Sequence, residues 1–128
     1  MAVSYVIVER GNPLDKNAPK KYYAQAKSRG ELTFRKLGKE IAEGSTTVSD
    51  SDVMAVLNDL SKVLKRHLEN GEIVRFGDFG TFQITIGSEG AETEAKFNAS
   101  MINKSKVTFR PGADLKEMLP NLKFEKIK

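Results

Sequence analysis

The sequence predicts an α+β fold: two helices opening the main domain, a three-stranded antiparallel sheet with a β-arm, a short C-terminal helix, and an N-terminal β extension. Three observations predict it. Apolar residues recur at steps of three and four from Val53 to Leu68, the spacing of one helix face. From Ile73 the period falls to two, as in a strand with one buried side. Before either, Val3, Tyr5 and Ile7 alternate with Ser4, Val6 and Val8 in a run rich in β-branched residues, broken by Gly11-Asn12-Pro13.

Residues 15–19 read as loop and 20–27 as a second strand, so residues 1–32 form a two-stranded extension ahead of a domain at 33–119. Thr33 suits an N-cap, since its hydroxyl can accept from an unpaired first-turn amide. A helix over 34–43 follows, with Phe34, Leu37 and Ile41 on one face and Gly44 as its stop. The longer helix starts at Ser49, with Asp50 and Asp52 where the helix dipole is positive, and stops at Asn70-Gly71. Its stripe is Val53, Val56, Leu57, Leu60, Val63, Leu64 and Leu68. At about 1.5–3 kcal/mol per buried aliphatic side chain, leaving it in water would forfeit about 10–20 kcal/mol. The three apolar anchors of the short helix are too few to cover it, so both the sheet and a second copy of the chain are expected against it.

Residues 73–76 and 79–86 read as strands joined by a tight turn at Gly77-Asp78. Phe82, Ile84 and Ile86 point one way, and Thr81, Gln83 and Thr85 the other. Residues 87–95 are almost free of apolar side chains and read as an exposed acidic hairpin, part of an arm at about 85–103. A strand over 102–110 leads through Pro111-Gly112 to a last helix over 113–119, stopped by Pro120. Residues 120–128 read as a tail or an edge strand.

Charge and composition narrow the function. The chain has 128 residues and net charge +4, distributed as +4, −2, −2 and +4 over residues 1–48, 49–84, 85–98 and 99–128. Two basic ends around an acidic centre suit a polyanion or a plain solvated surface. No cysteine is present, which excludes disulfides, thiol nucleophiles and cysteine-ligated zinc. His67 is the one histidine, at the edge of the long stripe, where an interface role suits it better than catalysis. Asp50, Asp52 and Asp59 read as helix-terminus charges rather than metal ligands, and Gly87-Ser88-Glu89-Gly90 lacks the strand and helix that flank a phosphate loop. No cofactor, metal, catalytic residue or small-molecule substrate is expected, and no apolar run reaches the ~20 residues of a membrane span. The cytoplasm is the expected location.

If Val107 and Phe109 face the core, Lys104, Lys106, Thr108 and Arg110 share the other side of their strand, a stripe about 20 Å long at ~3.3 Å per residue. That matches several phosphates along a duplex. Arg75, Gln83 and Lys96 are expected to join it. The amides near Gly112, with Lys116 one turn along, are expected to hold a phosphate.

Gly77-Asp78-Phe79-Gly80-Thr81-Phe82 resembles the Gly-Phe-Gly-Thr-Phe turn of the bacterial histone-like HU and integration host factor family. Phe109-Arg110-Pro111-Gly112 with Leu115-Lys116 is similar to that family's last strand-to-helix junction. The likeness covers about residues 33–119. It implies an intertwined homodimer whose helices form a base and whose sheets form a saddle on double-stranded DNA, in the nucleoid, with largely sequence-nonspecific backbone contacts and bending or compaction of the duplex. Val53, Val56, Leu57, Leu60, Val63, Leu64, Phe79 and Phe82 would then lie at the dimer interface.

Two departures stand out. Family arms carry arginines and an Arg-Asn-Pro tip, whereas residues 87–98 here contain no arginine or proline and carry Glu89, Glu92 and Glu94. Carboxylates there repel phosphate, so this arm is not expected to grip or kink DNA. The extension is the other departure, with Lys20, Lys21, Lys27 and Arg29 either solvated or on phosphates, and Tyr22 or Tyr23 able to stack on bases. A different reading keeps the dimer as a protein-interaction module with weak or no DNA binding.

Overall fold

Alternation at the amino terminus gives β1 (Val3–Arg10), which returns through the loop at 11–20 as β2 (Lys21–Ala26). The helical segments are α1 (Phe34–Gly44) and α2 (Asp50–Glu69). Then come β3 (Val74–Arg75), β4 (Gly80–Ser88), β5 (Ile102–Pro111), α3 (Ala113–Met118) and β6 (Phe124–Lys126). The structure, a computed structural model, describes residues 2–44 and 47–127. It divides into two units: unit 1, Met1–Thr33 with Met118–Lys128, and unit 2, Phe34–Glu117.

Unit 1 is a three-stranded sheet in the order β2-β1-β6: the two strands read at the amino terminus, with residues of the 120–128 segment, read as a tail or an edge strand, added at the edge. β2 pairs antiparallel with β1, and β6 adds in parallel on the other side, with Val3 opposite Phe124 and Tyr5 opposite Lys126. Amides of Val3 and Ile127 donate across this seam to Lys123 and Tyr5 at 2.8 and 2.9 Å. Val3, Tyr5, Ala24, Ala26 and Phe124 line a shallow concavity of about 460 Å³ on one face. Ser4, on the reverse face, is 3% exposed.

In unit 2 the Ser49 hydroxyl accepts from the Asp52 amide at 3.1 Å and fixes the start of α2. α1 packs on α2 at Gly38, which is buried, and a Cβ there would press on the Met54 side chain at 3.3 Å. The sheet runs β3-β4-β5, antiparallel throughout. β3 is two residues rather than four, because Phe76 already belongs to the turn, where its amide donates to Gly80 and its carbonyl accepts from Phe79. Phe76, Phe79, Phe82 and Phe109 form a chain of rings with centroids 4.9–5.8 Å apart.

Only the ends of the α2 stripe are buried. Val53 and Leu68 are buried, while Val56, Leu60 and Val63 are 64%, 40% and 41% exposed. Val53, expected at an interface between copies, is 8% exposed within its own chain. Among the described residues no side chain is fully buried, so neither unit builds a closed core of its own.

The arm expected over 85–103 is present only as its base. Pairing continues through Gly87 and Lys104 to Ser88 and Ile102, with an irregularity between Gly87 and Ser88. The amide of Glu89 then donates to Met101, and residues between them fold into two 3-10 turns, Glu94–Lys96 and Ala99–Met101. Thr93 and Asn98 cap those turns through side-chain oxygens. These local bonds compete with a ladder, which explains why the segment turns rather than extends.

Candidate nucleic-acid interface

The register of β4 on β5 decides which side chains share a face. Phe82 lies opposite Phe109, and Ile84 opposite Val107. Side chains directly opposite in an antiparallel pair project together, so these four belong to the apolar face. On the other face Thr81 pairs with Arg110, Gln83 with Thr108, Thr85 with Lys106, and Gly87 with Lys104. Arg75 pairs with Thr81 on β3 and brings a fourth cation to this face.

The polar face therefore carries Arg75, Lys104, Lys106 and Arg110, interleaved with Thr81, Gln83, Thr85 and Thr108, and no carboxylate. Thr85 and Thr108 share a hydroxyl hydrogen bond at 3.1 Å, which fixes both rotors between the cations. Among the described residues the ion pairs join Lys65 to Glu69, His67 to Glu72 and Lys96 to Glu92. None involves the four cations of the sheet. A flat face of unneutralised cations and hydroxyl donors can bind phosphate oxygens along a backbone. Thr81 and Thr85 belong to it as much as Gln83 does, and strict period-two counting on β4 identifies them from sequence alone.

Two expectations fall elsewhere. Lys96 sits in the 3-10 turns away from the strand face, with its ammonium 3.2 Å from Glu92. Lys116 is exposed on α3, but the phosphate cradle expected beside it is occupied by protein. The Gly112 amide donates to the Phe79 carbonyl at 3.0 Å and the Asp114 amide to Asp78 at 3.1 Å. α3 is also only six residues long. His67 is partly exposed, its Nδ1 3.1 Å from a Glu72 carboxylate oxygen.

Those same bonds join the two segments that carry the family likeness. A Cβ on Gly112 would collide with the Asp78 carbonyl, and one on Gly80 with the Phe109 ring. Glycine at both places lets the β3–β4 turn seat directly on the β5–α3 junction. The apolar face opposite the cations borders a cleft of about 690 Å³ lined by Leu64, Leu68, Phe82, Ile84 and Val107 among others. Among the described residues no group of three or more His, Asp or Glu side chains could hold a metal, and no helix is long and apolar enough to cross a membrane.

Comparison with known proteins gives a consistent result. Residues 1–126 match the model of a family described as "HU domain fused to wHTH, Ig, or Glycine-rich motif". Integration host factor subunit alpha of Vibrio atlanticus is 31% identical over 80 residues, which is 61% of this chain and 82% of that protein. A crystal structure of an inferred bacterial DNA-binding protein from Bacteroides vulgatus superposes with a TM-score of 0.66 at 14% identity, over 98% of this chain. This chain spans about half, 48%, of that longer protein, and the likeness is one of fold.

Proposed function

The chain belongs to the HU and integration host factor family, in its branch of HU domains fused to further motifs, and on that premise we propose that it is a noncatalytic histone-like protein that holds duplex DNA as a homodimer. The observation that carries the reading is the sheet face bearing Arg75, Lys104, Lys106 and Arg110 with no carboxylate among them. Contacts from such a face go to phosphates, so binding is largely independent of sequence and the protein resides on the nucleoid.

Dimerisation is supported by surface that the chain leaves uncovered. It exposes 11063 Å². Two independent globules of the units' sizes would expose about 8,100 Å² by surface-to-mass scaling. The excess, about 3,000 Å², is of the order of one copy's share in a large obligate interface. Val56, Leu60 and Val63 supply its centre, with Phe79, 48% exposed, and the partly covered Leu57, Leu64 and Phe82 around them.

Titration against random-sequence duplex at several salt concentrations tests the reading. A phosphate-dominated complex weakens with a log–log slope of about −0.9 per neutralised phosphate. Replacing Lys104, Lys106 and Arg110 with alanine is expected to flatten the slope by about two to three units for each copy in the complex. Absence of binding even at low salt would favour the protein-interaction reading, to which the exposed acidic residues Glu89, Glu92 and Glu94 are suited.

A further inference from the structure

The chain's excess positive charge does not reside in the HU-like unit. Unit 2 holds 12 basic and 13 acidic side chains, whereas unit 1 holds nine and four. Much of that surplus gathers at one place, the tip of the β1–β2 hairpin, where Arg10, Lys16, Lys20 and Lys21 are all exposed. Arg10 and Lys21 are direct cross-strand partners, so two cations stand on the same face about 5 Å apart at their Cα atoms. Like charges opposite each other destabilise a ladder, and none of the ion pairs of the described residues relieves this one. A polyanion would.

At the end of the same hairpin stands Leu14, 95% exposed, well beyond any other large apolar residue described. It follows Pro13 in a tip braced by its own bonds. The Leu14 amide donates to the Asn12 side-chain oxygen at 2.9 Å, the Asp15 amide to the Asn12 carbonyl at 3.2 Å, and the Asn17 amide to the Asp15 carboxylate at 3.0 Å. The loop thus presents an apolar side chain to water from a braced backbone, in a hairpin tip that also carries Lys16 and Lys20 and, beside Leu14, the carboxylate of Asp15. Proteins that enter the minor groove combine these parts: cations on flanking phosphates and an apolar side chain wedged into a base step.

We propose that the β1–β2 hairpin tip is a second DNA contact, in which Arg10, Lys16, Lys20 and Lys21 engage phosphates and Leu14 wedges into the minor groove of a duplex. The proposal rests on the DNA-binding reading and adds to it the deforming element that the acidic β4–β5 loop lacks. The tip, on this proposal, unstacks a base step and bends the duplex it enters.

The test uses the full chain and a short random-sequence duplex with a donor and an acceptor dye at its ends and 2-aminopurine within it. Leu14→Ser is expected to abolish most of the end-to-end approach and the 2-aminopurine brightening, with the salt slope unchanged. Joint replacement of Arg10, Lys16, Lys20 and Lys21 by alanine should flatten the slope by about two units or more. Leu14 is solvent-exposed, so its variant folds, which far-UV circular dichroism verifies. Unchanged bending in Leu14→Ser, or an unchanged slope in the fourfold variant, overturns the proposal while leaving the sheet face intact as a binding surface. Loss of binding only in the Lys104, Lys106 and Arg110 variant overturns it equally. If the unaltered chain binds no duplex at low salt, the DNA-binding reading fails and this one with it.

Discussion

Lys106 and Lys96 are ten positions apart in the chain, and a charge count treats them alike. The structure separates them. Lys106 stands on the sheet face opposite Thr85, whereas Lys96 reaches back to Glu92 from a 3-10 turn. Lys106→Ala is therefore expected to reduce the salt slope of duplex binding by about 0.9 for each copy in the complex, and Lys96→Ala to leave it unchanged within error. Fluorescence anisotropy across a salt series distinguishes the two. The glycines make a different prediction at this scale. A methyl group at Gly112 meets the Asp78 backbone, which cannot turn aside, so Gly112→Ala should lower stability by about 1–3 kcal/mol or more in urea unfolding. At Gly80 a Cβ meets the Phe109 ring and the Arg110 carbonyl, and the backbone φ of 156° itself disfavours a side chain, so Gly80→Ala is expected to be destabilising as well. The alternation on β5 was readable from sequence because period two is a local property. That Gly112 and Asp114 give their amides to the preceding turn was not, since it joins residues more than thirty positions apart.

Among the elements, α2 was the most legible: its apolar spacing, its acidic first turn and its Ser49 cap all specify one helix. Ser49→Ala is expected to cost about 1 kcal/mol, read as a lower urea midpoint at unchanged slope. The unit 1 sheet was legible in part. β1 and β2 are adjacent and announce themselves as a hairpin, but β6 pairs with β1 from the opposite end of the chain, and no local pattern encodes that parallel seam. The β4–β5 loop shows the reverse case. Its lack of apolar residues was plain, yet Thr93 and Asn98 bend it into short turns through bonds that composition does not register. Its glutamates bear on binding through their field. Joint replacement of Glu89, Glu92 and Glu94 by glutamine should tighten duplex binding about 2–10-fold at low salt, and the gain should fade as salt screens it.

For the whole molecule, the governing fact is an apolar surface that one chain does not cover. The centre of the α2 stripe, the outer parts of Phe79 and Phe109, and the cleft beside Leu64 and Val107 all face away from their own chain's interior. Sequence arithmetic on the stripe already required a partner surface, and the sheet accounts for Leu68 but not for Val56, Leu60 or Val63. If the proposed homodimer forms through this surface, a charge placed there, as in Leu60→Glu, is expected to leave the chain monomeric and to weaken duplex binding at least tenfold. Sedimentation equilibrium of the unaltered chain at micromolar concentration tests the central claim most directly. The account predicts a mass of about 28 kDa, twice the 14.2 kDa of one chain. A folded species that stays at 14.2 kDa would contradict it.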